Sequence, residues 1–436
     1  MSRKNIILLG ILILIIGLVV LVASLPNKKT DPSNGGEGTN FFSDLFNFVR
    51  LNNKNPGEGT SVRDISNDSG NVEETKNALF KISSMPVAGY GVFKKETFTY
   101  VAPPENAGTA SQTEQNNGLT APETEYQVFA RYVARENGNI YEYNLAGDGE
   151  KKYSASSIPT VYESFLGNNG SSVINRYLSN NKSIETFIRK LPEDVLGGDS
   201  PADNNLEGGF LPENTTDIAL SPNGSNIFYL FNTDSVAFGV VANSFGTNKS
   251  QVFSSPYTEW LSQWPNKDLI TLTTKPASGV AGYMYSINPS LKNFQKILGS
   301  INGLTTLTSP NGKLVLYTDD TLNLRLYDIE NNDTKNLNVR TLPEKCVWGV
   351  LSDRIFCAVP QFIKTLQYPD SWYQGEVSFT DTLEEVSLNG GSPHIILKDE
   401  EVTEPFDAVK MSLSEDGNYL FFINKKDLFL WGLKLK

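Results

Sequence analysis

The chain has 436 residues, 39% of them hydrophobic and 11% aromatic, enough to bury a substantial core in one large or two medium domains. Its net charge of −12, with no cluster of Lys and Arg, argues against a nucleic-acid partner, because phosphate binding needs gathered positive charge. One histidine and two cysteines argue against a zinc centre and leave a Ser-His-Asp triad a single candidate base, His394. In "GGSPHIILKD" that residue reads more simply as a loop histidine at a strand end. We expect no metal and no cofactor.

In chain order, "IILLGILILIIGLVVLVASL" from Ile6 to Leu25 is an uncharged apolar run. At a helical rise of about 1.5 Å per residue it covers a hydrocarbon core roughly 30 Å thick. A cleavable signal has a shorter apolar region, about 7 to 15 residues, so the length favours an uncleaved single-pass anchor within residues 1–29. Everything after Lys29 is polar and acidic with no second span. The sequence therefore places the protein in the cell membrane with its bulk on the extracytoplasmic side. Residues 30–76 read as a flexible tether, too poor in apolar surface to offset the entropy of ordering. Within it, residues 40–51 form an amphipathic segment, where Phe41, Phe42 and Phe46 lie close to a helical stripe after an Asn40 cap. Such a segment can rest on the membrane or dock a partner.

From residue 77 onward the pattern changes to short apolar runs separated by turns. "LSPNGSNIFYLF" begins at Leu220, "LTSPNGKLVLYTDDTLNLRLYDI" at Leu307 and "LSEDGNYLFFIN" at Leu413. Pro fixes the first corner of a tight turn, and Asn-Gly tolerates positive φ at the next. The stretch after Ile301 then reads as four antiparallel strands, "GLTTLT", "KLVLYT", "NLRLYDI" and "TKNL". Related turns recur from Pro222 to Pro265 to Pro310 to Ser352 at spacings of 43, 45 and 42 residues. Four strands per period of 40 to 50 residues is the signature of a β-propeller blade. The units fall at about 86–153, 156–192, 214–255, 256–299, 300–338, 342–398 and 405–436. We therefore expect an all-β, seven-bladed β-propeller over residues 77–436, with six and eight blades as the neighbouring counts. The last unit supplies only three strands, so Leu79 to Ser83 is expected to complete it by pairing with Leu428 to Leu433 and so remove an open edge.

These turns resemble the Ser-Pro-Asp-Gly repeats of TolB-type propellers, relatives of the WD-repeat fold. Asn replaces the usual Asp at 223 and 311, and the Trp-Asp pairs of true WD repeats are absent. The resemblance implies fold alone, since such propellers include scaffolds, periplasmic interaction partners and the propeller halves of peptidases.

The sequence carries no Gly-x-Ser-x-Gly elbow, P-loop or His-Glu-x-x-His motif. In "CVWGVLSDRIFCAV" a two-residue turn at Leu351-Ser352 would pair Cys346 with Cys357 across adjacent strands, and a disulfide is expected there. An insertion in the sixth unit, "KTLQYPDSWYQGEVSFTDTLEEV", groups Tyr368, Trp372 and Tyr373. These aromatics either pack over the blade edge or anchor a partner. Together the features point to an interaction module for an unknown protein or cell-envelope component, held by its membrane helix. The alternative is a hydrolase or lactonase-like enzyme that uses carboxylates of the central channel.

Overall fold

The computed structural model describes residues 78–99, 123–147, 149–155, 158, 160–179, 182–192, 208–390, 392–397, 402 and 404–435. The apolar run, the tether and Phe41, Phe42 and Phe46 lie outside them. No helix among the described residues is long and apolar enough to cross a membrane.

Seven four-stranded antiparallel sheets form a seven-bladed β-propeller. Blade 1 holds β2 (Val87–Thr99), β3 (Glu123–Ala134), β4 (Ile140–Asn144) and β5 (Gly149–Ser154). Blade 2 holds β6 (Val161–Gly167), β7 (Ser172–Leu178), β8 (Ile184–Lys190) and β9 (Gly208–Phe210). Blade 3 holds β10 (Thr215–Leu220), β11 (Asn226–Thr233), β12 (Val236–Asn243) and β13 (Ser250–Ser255). In blade 4 lie β14 (Trp260–Asn266), β15 (Leu269–Thr274), β16 (Ala281–Ile287) and β17 (Phe294–Asn302). Blade 5 has β18 (Thr305–Thr308), β19 (Leu314–Thr318), β20 (Asn323–Asp328) and β21 (Asp333–Arg340). Blade 6 has β22 (Cys346–Trp348), β23 (Arg354–Pro360), β24 (Asp381–Ser387) and β25 (His394–Ile395). Blade 7 combines β26 (Ala408–Leu413), β27 (Tyr419–Asn424) and β28 (Leu430–Lys434) with β1 (Leu79–Lys81).

That last sheet closes the ring as the sequence suggested. Leu79 pairs with Leu433, Phe80 with Gly432 and Lys81 with Trp431. A separate apolar cluster fills each of the seven junctions between blades. Leu420, Phe422 and Phe356 lie between blades 7 and 6, and Phe421, Ile423 and Leu430 meet Val87 and Tyr132 between blades 7 and 1. Each sheet thus buries both faces against its neighbours, which explains why the second strands are nearly continuous apolar runs, such as "IFYLF" in β11. The blade limits differ from expectation mainly in blade 2, whose outer strand lies beyond residue 192, at Gly208–Phe210.

The repeated turns join the first and second strands of their blades. In blade 5, Ser309 Oγ donates to Asn311 Oδ1 (2.7 Å), Lys313 N donates to the same oxygen (3.0 Å), and Leu314 N donates to Ser309 Oγ (3.0 Å). Blades 3 and 7 repeat the pattern with Ser221 and Asn223, and with Ser414 and Asp416. The glycine at the fourth place has positive φ, 64° at Gly224, 72° at Gly312 and 69° at Gly417.

Blade 6 keeps this backbone with other residues. Gly349 N donates to Arg354 O and Ser352 N to Gly349 O, so Gly349, Val350, Leu351 and Ser352 occupy the four places of the turn. The expected two-residue turn is therefore a four-residue loop, and Ser352, with φ 58°, takes the glycine place. The outward register is unchanged, so Cys346 lies opposite Cys357, and the two are disulfide-bonded (S–S 2.09 Å).

Candidate functional site

Among the described residues, three of the places that bring polar or exposed apolar side chains together bear on function. The first is the channel, where the first strands of neighbouring blades run side by side. Glu163 of β6 accepts from Arg176 Nη1 (2.7 Å) and from Lys410 Nζ of β26 (2.8 Å), so a link from blade 2 reaches blade 7 across blade 1. Burial would push the Glu163 carboxyl up, but Lys410 and Arg176 together hold it at about 2. Asp217 of β10 accepts from Ser262 N (2.5 Å) and Ser262 Oγ (2.7 Å) of β14, and burial pushes it up to about 6 despite those donors. Gln263 continues the ring, donating to Thr306 O (2.7 Å) and accepting from Thr308 N (2.9 Å). Each of these channel side chains holds a hydrogen-bond partner on another strand.

The second is the insertion between β23 and β24. Its short helix α1 (Asp370–Tyr373) does not display the aromatics that the sequence singled out as partner anchors. Tyr368 is 4% exposed and Trp372 5%, and both pack with Leu322, Leu342, Val377 and Phe379. Tyr373 is half-buried and donates its hydroxyl to Glu344. Binding through Tyr368 and Trp372 is therefore corrected to packing. A 20-residue excursion outside the blade has no sheet to lie in, so it must supply an apolar core of its own. The large apolar side chains that the insertion does expose are Phe362 (72%) and Leu366 (42%).

Beneath this layer lies a group of charges that sequence spacing did not reveal. Lys345, in the 3-10 turn Pro343–Lys345, directs Nζ at Asp381 Oδ2 (2.8 Å), at Asp407 Oδ1 and at Ala408 O (3.0 Å). All three charged side chains are fully buried. Asp407 Oδ2 accepts from Trp372 Nε1 (3.1 Å), Ser378 Oγ (3.1 Å) and Phe379 N (2.9 Å). Burial pushes Asp407 up, yet Lys345 and these donors hold it below the ordinary carboxyl range. Asp381 goes the other way, pushed up to about 6 by burial with Asp407 adding to it. Next to them, burial raises Glu344 to about 7 and lowers Lys425 to about 8. Lys425 Nζ sits 4.1 Å from the centre of the Trp372 ring. Lys345 and Asp407 are 62 residues apart, on either side of the insertion that covers them, so no local motif could have announced them.

The third place is a cleft of about 580 Å³ between blades 6 and 7, on the side of the tight turns. Phe356 and Leu413 line it, with Val350 (54% exposed), Leu351 (80%) and Ile395 (58%). Around them stand the carboxylates Asp353, Glu385, Glu415 and Asp416 against the cations Arg354 and Lys434. His394 is here too, an exposed strand-end residue with Nε2 3.4 Å from Glu385 Oε2. Among the described residues no group of three or more His, Cys, Asp or Glu is arranged to hold a metal ion.

No protein-family model matches the chain, and no curated protein matches it significantly. Solved structures similar to it are propellers. An oligogalacturonate lyase from Vibrio parahaemolyticus is 8% identical with a TM-score of 0.48, over 71% of this chain and 86% of that one. TolB from Acinetobacter baumannii is 9% identical with a TM-score of 0.38, over 69% of this chain and 60% of its own. An oligogalacturonate lyase in complex with manganese is 10% identical with a TM-score of 0.47, over 71% and 86%. At such identities the likeness concerns fold alone.

Proposed function

We propose that this protein is a membrane-anchored, extracytoplasmic interaction module, and that its propeller captures a protein partner at the cleft between blades 6 and 7. The observation that carries this reading is the tip of the blade 6 turn. Where blades 3, 5 and 7 place Pro or Glu and then Asn or Asp, blade 6 places Val350 and Leu351 in solvent. Nothing in the turn needs them to be apolar, because the backbone pattern is the same in all four blades. Exposed apolar side chains gathered at a cleft and rimmed by polar groups mark association surfaces. With four carboxylates against two cations, the rim suits a partner segment that flanks an apolar side chain with Lys or Arg.

The test is capture of cross-linked partners by the full chain in its own cell envelope, compared with the double variant Val350→Ser, Leu351→Ser. Both side chains are largely solvent-exposed, so the fold should tolerate the change. An anchor residue contributes about 2 kcal/mol, so affinity should fall roughly thirtyfold for each one lost. Undiminished capture by the folded variant would refute the cleft as the site. The enzyme reading draws support from Glu163 and Asp217, two channel carboxyls driven apart in acidity as acid–base pairs are. It predicts turnover of a substrate that Asp217→Asn abolishes.

A further inference from the structure

We propose that Lys345 and Asp381 become joined by an intramolecular amide bond after folding, with Asp407 as the base that moves the proton. One ammonium contacts two carboxyls in a fully buried place, with Lys425 a more distant cation near both, and an ionised carboxylate there is costly in a low-dielectric interior unless donors satisfy it. The carboxyl with fewer donors is the one that protonates more readily. Asp407 has its second oxygen taken by three donors, so it is the carboxylate. Asp381 has donors on Oδ2 alone, and its Oδ1 is buried with no hydrogen-bond partner, the place where the hydroxyl of the neutral acid would sit.

A neutral carboxylic acid beside an amine is the reactant pair for amide formation, and every other participant is in position. Asp407 Oδ1 contacts Lys345 Nζ and can take its proton. The freed amine attacks Cγ of Asp381. Charge then develops on Oδ2, which already accepts the backbone N–H of Ala408 (2.8 Å), an oxyanion donor fixed in advance. As the C–N bond forms and the carbonyl is restored, the C–Oδ1 bond breaks. Oδ1 leaves as water with the proton that Asp407 returns, and the second proton of the attacking nitrogen then passes to Asp407, which ends as the neutral acid. The new amide keeps Oδ2 on Ala408 N, and its N–H can donate to Ala408 O. No oxidant or cofactor is needed. Fixing amine and acid at 2.8 Å supplies the effective concentration that free reactants lack. The walls of Trp372 and Phe379, each with its ring centre 5.5 Å from Nζ, exclude the water that would reverse the reaction. A simple structural ion pair is the competing account, but buried pairs add little stability and that account leaves Asp381 Oδ1 unexplained.

Mass measurement decides between them. The full chain is denatured, its disulfide reduced and alkylated, and the product digested with trypsin. With the bond present, trypsin cannot cut after Lys345, and residues 341–354 emerge joined to residues 365–398 at their summed mass less one water. Free peptides 341–345 and 365–398, both unmodified, would overturn the proposal, and this wild-type result stands whichever variants fold. A link from Lys345 to residues 399–410 would overturn the assigned roles, since that peptide carries Asp407. Asp381→Ala should leave the peptides separate. Asp407→Asn should do so while the protein keeps its circular dichroism spectrum, and complete joining in that variant would remove Asp407 as the base.

Discussion

Asn223 and Asn311 stand where a Ser-Pro-Asp-Gly turn would carry Asp, and the hydrogen bonds explain why the exchange is harmless. The third place of the turn is used only as an oxygen that accepts from a hydroxyl and a backbone N–H, so an amide serves as well as a carboxylate. Glu163 is the opposite case, a side chain whose charge matters. Its carboxyl is held at about 2 in the folded protein against an ordinary 4.5, because Lys410 and Arg176 outweigh burial. A depressed carboxyl stabilises the fold above its unfolded value, and that stability is lost as pH falls toward the folded one. We expect Glu163→Gln to lower stability by about 2 kcal/mol at neutral pH, as for hydrogen bonds to charged groups. In paired thermal melts the gap between wild type and variant should narrow steadily between pH 4.5 and pH 2. A gap that is constant over this range would mean that the charge of Glu163 contributes nothing.

β1 shows what one short element can decide. Its three residues complete the sheet of blade 7, and just beyond it Ile82 N donates to Leu430 O (2.8 Å) and Ser83 Oγ accepts from Leu430 N (2.9 Å). Leu79 and Ile82 join the cores on the two sides of that blade. Deleting residues 78–83 would expose the edge of β28 and both cores at once. The variant should melt well below wild type and aggregate on refolding, and an unchanged melting temperature would show that the ring does not depend on this closure. This element was legible because a missing fourth strand is a countable deficit, and the blades were legible because their turns recur at a fixed period. β9 was not, since "GGF" has no alternation and follows a long polar stretch. Nor was the inward turn of Tyr368 and Trp372. The sequence shows that the insertion is aromatic, but which side it buries depends on Leu322, Leu342 and the Asp407 carboxylate, all distant in the chain.

For the whole molecule, the disulfide is a reporter of where the propeller folds. Cys346 and Cys357 are buried, at 4% and 0% exposure, in the core between blades 5 and 6. Once formed, the bond is therefore shielded from small reductants outside the protein, and its state records the compartment in which the chain folded. The sequence reading places that compartment beyond the membrane, with the apolar run from Ile6 to Leu25 as the anchor. In cells lysed directly into denaturant with a thiol-reactive maleimide, the full chain should take up no label unless it is reduced first. A chain that lacks residues 1–29 and is held in a reducing cytoplasm should take up two. Protease added to intact spheroplasts should degrade the full chain and spare the shortened one. Labelling of the full chain without reduction, together with protection from the protease, would place the propeller on the cytoplasmic side and remove the extracytoplasmic part of the proposed function. The cleft between blades 6 and 7 would then have to find its partner inside the cell.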